Sequence, residues 1–326
     1  MRVVLPIALI VLVGAAPLAV PWLEVVLTVA LAKGFAVLGI VVLLRAGQVS
    51  FGHAMFFAAS AYAAAFLSRA LGGADVAVLL VAGLVASALF GLVVGAFVVG
   101  YRYIFFAMLN LAFSMVLYSI LEKFFYVTGG SDGMRLERPT FFGAAMDRAG
   151  FEAAMFYLVL ALAVVTGWLV HRYFASPPGR ALVAIKTNET RLEYLGVSAR
   201  TMLLAAYVLS AMLAGLGGTI LAVIQGLVTP AFGYWVRSGE FVFIAILGGA
   251  GHVIGAFAGA LVYELVRTYA AAFAADIWQL TLGVFLLLII LFASRGLVGM
   301  YQDLMTRLLG PPRPARRPLA AGEAET

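Results

Sequence analysis

The chain has 326 residues, 64% of them hydrophobic and only 11% charged, with a formal net charge of +6 and no cysteine. A water-soluble domain runs about 45–50% apolar and about 25% charged, so a mean hydropathy of +1.09 places this chain in a lipid bilayer. The missing cysteines exclude disulfides, thiolate metal sites and a cysteine nucleophile. Positive charge is what the cytoplasmic loops of membrane proteins accumulate, so no nucleic-acid partner is expected.

The first apolar run, residues 3–20, follows Arg2 like the core of a signal peptide. A second run begins almost at once, so the first reads as an uncleaved span. Further runs lie near 23–44, 51–68, 75–99, 103–122, 153–173, 201–226, 239–271 and 277–294. At roughly 20 apolar residues per crossing they give about eight to ten spans. None alternates as a barrel strand does. An all-α polytopic transmembrane bundle is expected, because helices satisfy their own backbone in lipid. One membrane domain covers residues 1–309, and the Pro- and Arg-rich tail 310–326 reads as disordered.

Within the second run, Lys33 costs several kcal/mol unless it pairs or reaches water. Either a functional role or an acidic partner across a subunit interface answers that cost. At the start of the third run, Gln48, Ser50 and His53 enter the membrane among small residues. They line a pathway or cap and pack a broken helix. The loop 123–152 is aqueous and contains Thr128-Gly129-Gly130-Ser131-Asp132-Gly133. Such a turn can cradle an anion, yet it lacks a phosphate-loop pattern, and an ordinary turn is the equal alternative.

The loop 174–200 holds a segment unlike the rest, Ser176 to Gly196. Ser176 suits a cap, the following prolines suit a first turn, and Gly196 suits a left-handed close. Leu182, Ile185, Leu192 and Leu195 fall on one side, with Lys186, Glu189, Arg191 and Glu193 elsewhere. This short amphipathic helix lies on the membrane surface, docks into a soluble partner, or merely connects. If its loop is cytoplasmic, alternation puts Arg2, Arg45, Arg102, Arg172, Arg180, Lys186, Arg191, Arg200 and Arg295 on that side, with both termini. The opposite side keeps Arg69, Lys123, Arg135, Arg138, Arg148 and Arg237.

The run 239–271 is too long for one span and is broken at Leu247-Gly248-Gly249-Ala250-Gly251-His252. It reads as a helical hairpin that dips in and returns, its glycines allowing the turn and close approach. Glu264 and Arg267, one turn apart, are expected to pair. No Gly-x-x-x-x-Gly-Lys-Ser/Thr occurs, so the chain itself holds no phosphate loop for ATP. The three histidines, His53, His171 and His252, lack metal spacing. Neither a metal, a cofactor nor a catalytic cluster is expected.

Five ordered motifs form a family pattern. They are Gly47-Gln48-Val49-Ser50-Phe51-Gly52-His53-Ala54-Met55-Phe56-Phe57, Thr128 to Gly133, Gly179-Arg180-Ala181-Leu182 through Gly196, Leu247 to Gly251, and Arg295-Gly296-Leu297-Val298-Gly299. Together, over nearly the whole chain, they resemble the branched-chain amino acid permeases of ABC importers, LivM type. Ser294 stands where many relatives have proline, and Ile40 where asparagine is common.

The resemblance implies an ABC-importer permease fold and uptake of leucine, isoleucine or valine by alternating access. Urea, short amides or other amino acids are the alternative substrates. It implies ATPase coupling at Arg180, Lys186, Glu189, Arg191, Glu193 and Gly196, and a pathway near Gln48, Ser50, His53, Gly248 and Gly249. Gly129, Gly130, Ser131 and Asp132 would meet a periplasmic substrate-binding protein. The implied partners are a second permease of the LivH type and two cytoplasmic ATPase subunits. The rival class, a stand-alone secondary transporter or channel, needs ion-coupling carboxylates inside the spans. Here Asp and Glu are read as falling almost wholly in loops and at helix ends.

Overall fold

A computed structural model describes residues 4–20, 22–141 and 143–273, and beyond them positions 277, 280–281, 283–284, 287–288, 291 and 296–301. The run 277–294 lies mostly outside these residues, and the tail 310–326 wholly so. In chain order the helices are α1 (Val4–Ala19), α2 (Leu23–Leu44), α3 (His53–Leu71), α4 (Val76–Val98), α5 (Tyr103–Lys123), α6 (Phe125–Thr128), α7 (Arg148–Ala175), α8 (Pro177–Tyr194), α9 (Ala199–Gln225), α10 (Trp235–Gly248) and α11 (Val253–Phe273). Seven of them are long and apolar enough to cross a membrane: α2, α3, α4, α5, α7, α9 and α11. The chain is therefore a multi-pass, all-α membrane protein.

Local chemistry sets the ends. Asp75 caps α4 by accepting from the Ala77 N–H at 2.9 Å, and Ser198 caps α9 through the Thr201 N–H at 3.3 Å. Each side chain satisfies one of the donors a helix start leaves unpaired.

The most apolar stretches of α2 and α9 are 83% and 78% buried, whereas those of α4, α5 and α7 are 22–28% buried. Helices α2 and α9 are thus the axis, and the other three turn broad apolar faces to lipid. Close approach makes this axis. A side chain at Gly217 would begin 2.2 Å from the Ala32 carbonyl, and one at Gly39 would begin 2.6 Å from the Ser210 carbonyl. Small residues at helix contacts are the main means of packing helices in lipid, where no hydrophobic drive acts between them.

Two helices start inside the bundle. An irregular stretch, 45–52, separates α2 from α3, and another, 226–234, separates α9 from α10. With 14 residues, α10 is about 21 Å long, too short for a hydrocarbon core of about 30 Å. The Ser238 hydroxyl in its first turn accepts from the Ala54 N–H, in the first turn of α3, at 2.9 Å. Just upstream, the Gly233 carbonyl accepts from Ser114, midway along α5, at 3.0 Å. The exposed donors of one broken helix are therefore met by the start of the other.

The predicted hairpin is present as α10 and α11, joined at 249–252. It is held backbone to backbone: a Cβ at Gly248 would lie 1.8 Å from the Gly255 carbonyl. The late motif docks on the same turn, with Gly296 against Gly249.

Three expectations need correction. The segment 177–194 is not one straight helix, since Asn188 leaves helical geometry at φ −160°, ψ 94° and its side chain caps the turn that follows through the Arg191 N–H. Leu182, Ile185 and Leu192 are buried on both sides of that break, but Leu195 is exposed, because the helix ends at Tyr194 and Leu195 is its C-cap. Ser176 sits at the cap position, yet its hydroxyl donates back to the Tyr173 carbonyl at 2.6 Å.

Replacing Gly248 by valine forces a methyl-bearing carbon into a backbone carbonyl that cannot rotate away. Overpacking of this kind costs about 1–3 kcal/mol or more. The expected result is a lower thermal midpoint of the detergent-solubilised protein; an unchanged midpoint contradicts the hairpin packing.

Candidate functional site

Three connections meet at one end of the bundle. Arg45, just past α2, donates to the Gly179 and Phe174 carbonyls, both at 3.4 Å, and its guanidinium lies 4.4 Å over the Phe174 ring. Gly179 has to be glycine, because a side chain there would begin 2.1 Å from the Tyr173 carbonyl. Arg102, between α4 and α5, grips Glu189 of α8 with two bonds, 2.9 Å from Nε and 2.6 Å from Nη2. The same guanidinium donates to the Val99 and Tyr101 carbonyls, closing its own turn. The adjacent Tyr103 carries the sole positive φ outside glycine among the described residues, +52°. Its N–H donates to Gln48 Oε1 at 2.9 Å. A continuous polar chain thus runs from α8 through Arg102, Tyr103 and Gln48 to the irregular stretch before α3.

The other residues of α8 divide clearly. Arg180, Lys186, Arg191 and Glu193 are exposed, while the Lys186 stem covers the Gly47 turn. Gly196 is left-handed at φ +80° and closes the segment, with the Val197 N–H reaching the Leu192 carbonyl at 3.3 Å and the Gly196 N–H reaching Glu193 at 2.9 Å. Tyr194 and Leu195 stand beside it at 87% and 75% exposure, an apolar tip left uncovered by the described residues.

Gln48, Ser50 and His53 are buried where α3 starts. Ser50 Oγ accepts from the Gly52 N–H at 3.3 Å. His53 Nε2 is 2.5 Å from Ser210 Oγ, whose proton goes to the Gly39 carbonyl at 2.6 Å. With that proton spent, His53 must donate through Nε2, leaving Nδ1 without a partner. Nearby, Tyr207 donates to Asn110, which itself donates to the Phe106 carbonyl at 2.8 Å.

Lys33 is the eleventh of the 22 residues of α2, near mid-membrane. It pairs with Glu240 of α10 at 2.5 Å and Glu264 of α11 at 2.7 Å, and Glu264 also receives Arg267 at 3.1 Å. The expected Glu264–Arg267 pair is present. Lys33, however, finds its acids inside its own chain and not across a subunit interface. Two carboxylates do occupy helix interiors, because the apolar run around them hid their depth. Arg237 likewise leaves the external loops: it sits in α10 with its guanidinium 4.9 Å over Phe232 and 5.7 Å over Phe57.

At the opposite end, Thr128 ties down the glycine turn by donating to the Leu121 carbonyl at 2.6 Å and accepting from the Gly130 N–H at 3.2 Å. Gly129 and Gly130 are left-handed, at φ +76° and +52°, while Ser131 and Asp132 face outward. The next residues, β1 (Met134–Arg135), pair antiparallel with β2 (Leu227–Val228), fastening this loop to the stretch that leads down to α10.

Comparison with known proteins sets these features in context. The family profile described as branched-chain amino acid transport system / permease component matches residues 23–293. The high-affinity branched-chain amino acid transport system permease protein LivM of Escherichia coli is 28% identical over 275 residues, covering 78% of this chain and 64% of LivM. The chain therefore spans under two-thirds of that relative's length. The permease LivH of Escherichia coli is 25% identical over 147 residues, 45% of this chain and 47% of its own. The autoinducer 2 import permease LsrC of Klebsiella pneumoniae is 28% identical over 159 residues, 47% of this chain and 43% of its own. No solved structure matches.

Removing Lys33 alone takes the direct ion pair from Glu240 and leaves Glu264 with Arg267 only. Breaking a buried ion pair from one side costs about 3–5 kcal/mol. Lys33→Met is expected to lower the thermal midpoint in detergent and the yield of inserted protein; wild-type behaviour in both contradicts the pairing.

Proposed function

The chain belongs to the branched-chain amino acid transport system permease family, and from that premise we propose that it is a transmembrane subunit of an ATP-driven importer of leucine, isoleucine and valine. It works by alternating access in an inner membrane, with both termini in the cytoplasm. A second permease, of the LivH kind, completes the pore, and ATP is hydrolysed on two separate cytoplasmic subunits.

One observation carries this reading: the unbroken polar chain from α8 to the start of α3. An amphipathic helix that only connected two spans has no need of a two-pronged ion pair to a different turn. With its outer face of Arg180, Lys186, Arg191 and Glu193 and its tip of Tyr194 and Leu195, α8 presents charge and apolar surface together, which suits a soluble protein partner. Movement of α8 driven by the ATPases pulls on Arg102 through Glu189. Arg102 closes the α4–α5 turn, and Gln48 joins that turn to the broken entry of α3. The pathway then opens and closes where α3 and α10 start, near Gln48, Ser50 and His53. Gly248 and Gly249 act as the inner elbow of the hairpin. On the outer side, Ser131 and Asp132 on the pinned turn of Gly129 and Gly130 meet a periplasmic binding protein, which delivers the substrate.

Reversing one charge of the pair tests this. Glu189→Arg is expected to leave insertion intact while leucine uptake falls and ATP hydrolysis continues without it. Because two-pronged guanidinium–carboxylate pairs are geometrically specific, the double variant Glu189→Arg/Arg102→Glu is expected to recover part of the uptake. Normal uptake in Glu189→Arg alone removes α8 from the coupling.

A further inference from the structure

Charge at mid-membrane depth needs an explanation, and one member of the charged group, Arg237, has no direct ion pair among the described residues. Lys33, Glu240, Glu264 and Arg267 form a connected set whose side-chain exposure rises from 2% to 8%, 19% and 41% for Lys33, Glu264, Glu240 and Arg267. The set is thus sealed at Lys33 and open toward Glu240 and Arg267. Arg237 lies beside it, partly exposed, and among the described residues it has no carboxylate within ion-pair distance. Its guanidinium lies over the ring faces of Phe232 and Phe57, with Glu240 and Glu264 near enough to act on it through space. Arginine stays charged at any relevant pH and offers five donors, with no way to become neutral. An ionised residue inside a bilayer is costly and marks a pathway by default.

Arg237 and Glu240 are three residues apart on α10, so they share a face. One cation and one anion, about a helical turn apart beside aromatic rings, match an α-amino acid zwitterion better than a simple anion. Glu240 is hydrogen-bonded by Lys33, and Glu264 by Lys33 and Arg267, so both carboxylates attract Arg237 through space while their direct hydrogen bonds go elsewhere. We propose that Arg237 is the residue that takes the carboxylate of the amino acid in transit, with Glu240 on the ammonium side. Glu240 is held in place by Lys33, which makes Lys33 a positioning residue for this subsite. The assignment rests on the reading of the chain as an amino acid permease.

The test uses the assembled transporter, with its own ATPase subunits and binding protein, in proteoliposomes supplied with leucine at saturating binding protein. Arg237→Gln is expected to lower the maximal uptake rate about tenfold or more, as loss of a charge-assisted two-pronged bond does. ATP hydrolysis stimulated by the loaded binding protein is expected to persist, which a collapsed structure would not allow. Arg237→Lys keeps the charge but loses the planar fork, and an intermediate rate is expected. Leucine uptake at the wild-type rate in Arg237→Gln overturns the subsite. If Arg237→Gln does not insert, Arg237→Lys decides: a reduced rate supports the assignment and an undiminished one overturns it. A wild-type transporter that carries no leucine fails the functional reading itself, and is distinguished by that result from a failure of the subsite alone.

Discussion

A backbone N–H without a partner in hydrocarbon costs several kcal/mol, so a helix can start inside a membrane only where something meets its first donors. In this protein that something is another helix start. Ser238, in the first turn of α10, accepts from Ala54, in the first turn of α3. The two broken segments are joined by this bond, and the surrounding helices hold them together. The α2–α9 axis closes because Gly217 and Gly39 let backbones touch. Ser114 on α5 takes the Gly233 carbonyl of the descending stretch, and the β1–β2 ladder anchors that stretch from outside.

Broken helices bring polar groups to mid-membrane at a cost that continuous helices avoid. The structure offsets this cost locally: His53 shares Ser210 with Gly39, and Lys33 sits between two glutamates. The same arrangement gives a transport reading its physical basis. A site with unpaired charge can exist only where a polar substrate or water arrives, and a segment held by a few hydrogen bonds can change partners. On the proposed account, α8 supplies the force. Its side-chain ion pair to the membrane interior runs through one guanidinium, Arg102, which holds both Glu189 and its own turn, while Arg45 holds the start of α8 at Gly179.

Much of this was legible in the residues. Apolar runs located the spans, and their length set the fold class. Glycine at 248, 249 and 251 marked the hairpin, because no other residue allows the backbones to approach so closely. The proline start and the left-handed close at Gly196 bounded α8 correctly. What escaped was pairing across sequence. Arg102 read as one more positive charge on a loop, since nothing local reveals a glutamate 87 positions away. Glu240 and Arg237 fell at the edge of an apolar run and looked like its outer end. Two opposite charges a turn apart at the start of a re-entrant helix were the available signal. Leu195 was placed on the buried face, but the helix ends at Tyr194 and leaves Leu195 as an exposed cap.

On the proposed reading, the motor subunits act on this membrane domain at α8. The chain has no cysteine, so a single Tyr194→Cys variant carries one thiol, at the exposed tip of α8. Crosslinking it with a short maleimide photoprobe, in membranes where the transporter's ATPase subunits are expressed alongside, tests the claim most directly. The account predicts one adduct with an ATPase subunit, whose yield changes when ATP hydrolysis is arrested. Adducts with lipid alone, in membranes where the ATPase subunits are present and active, would contradict it.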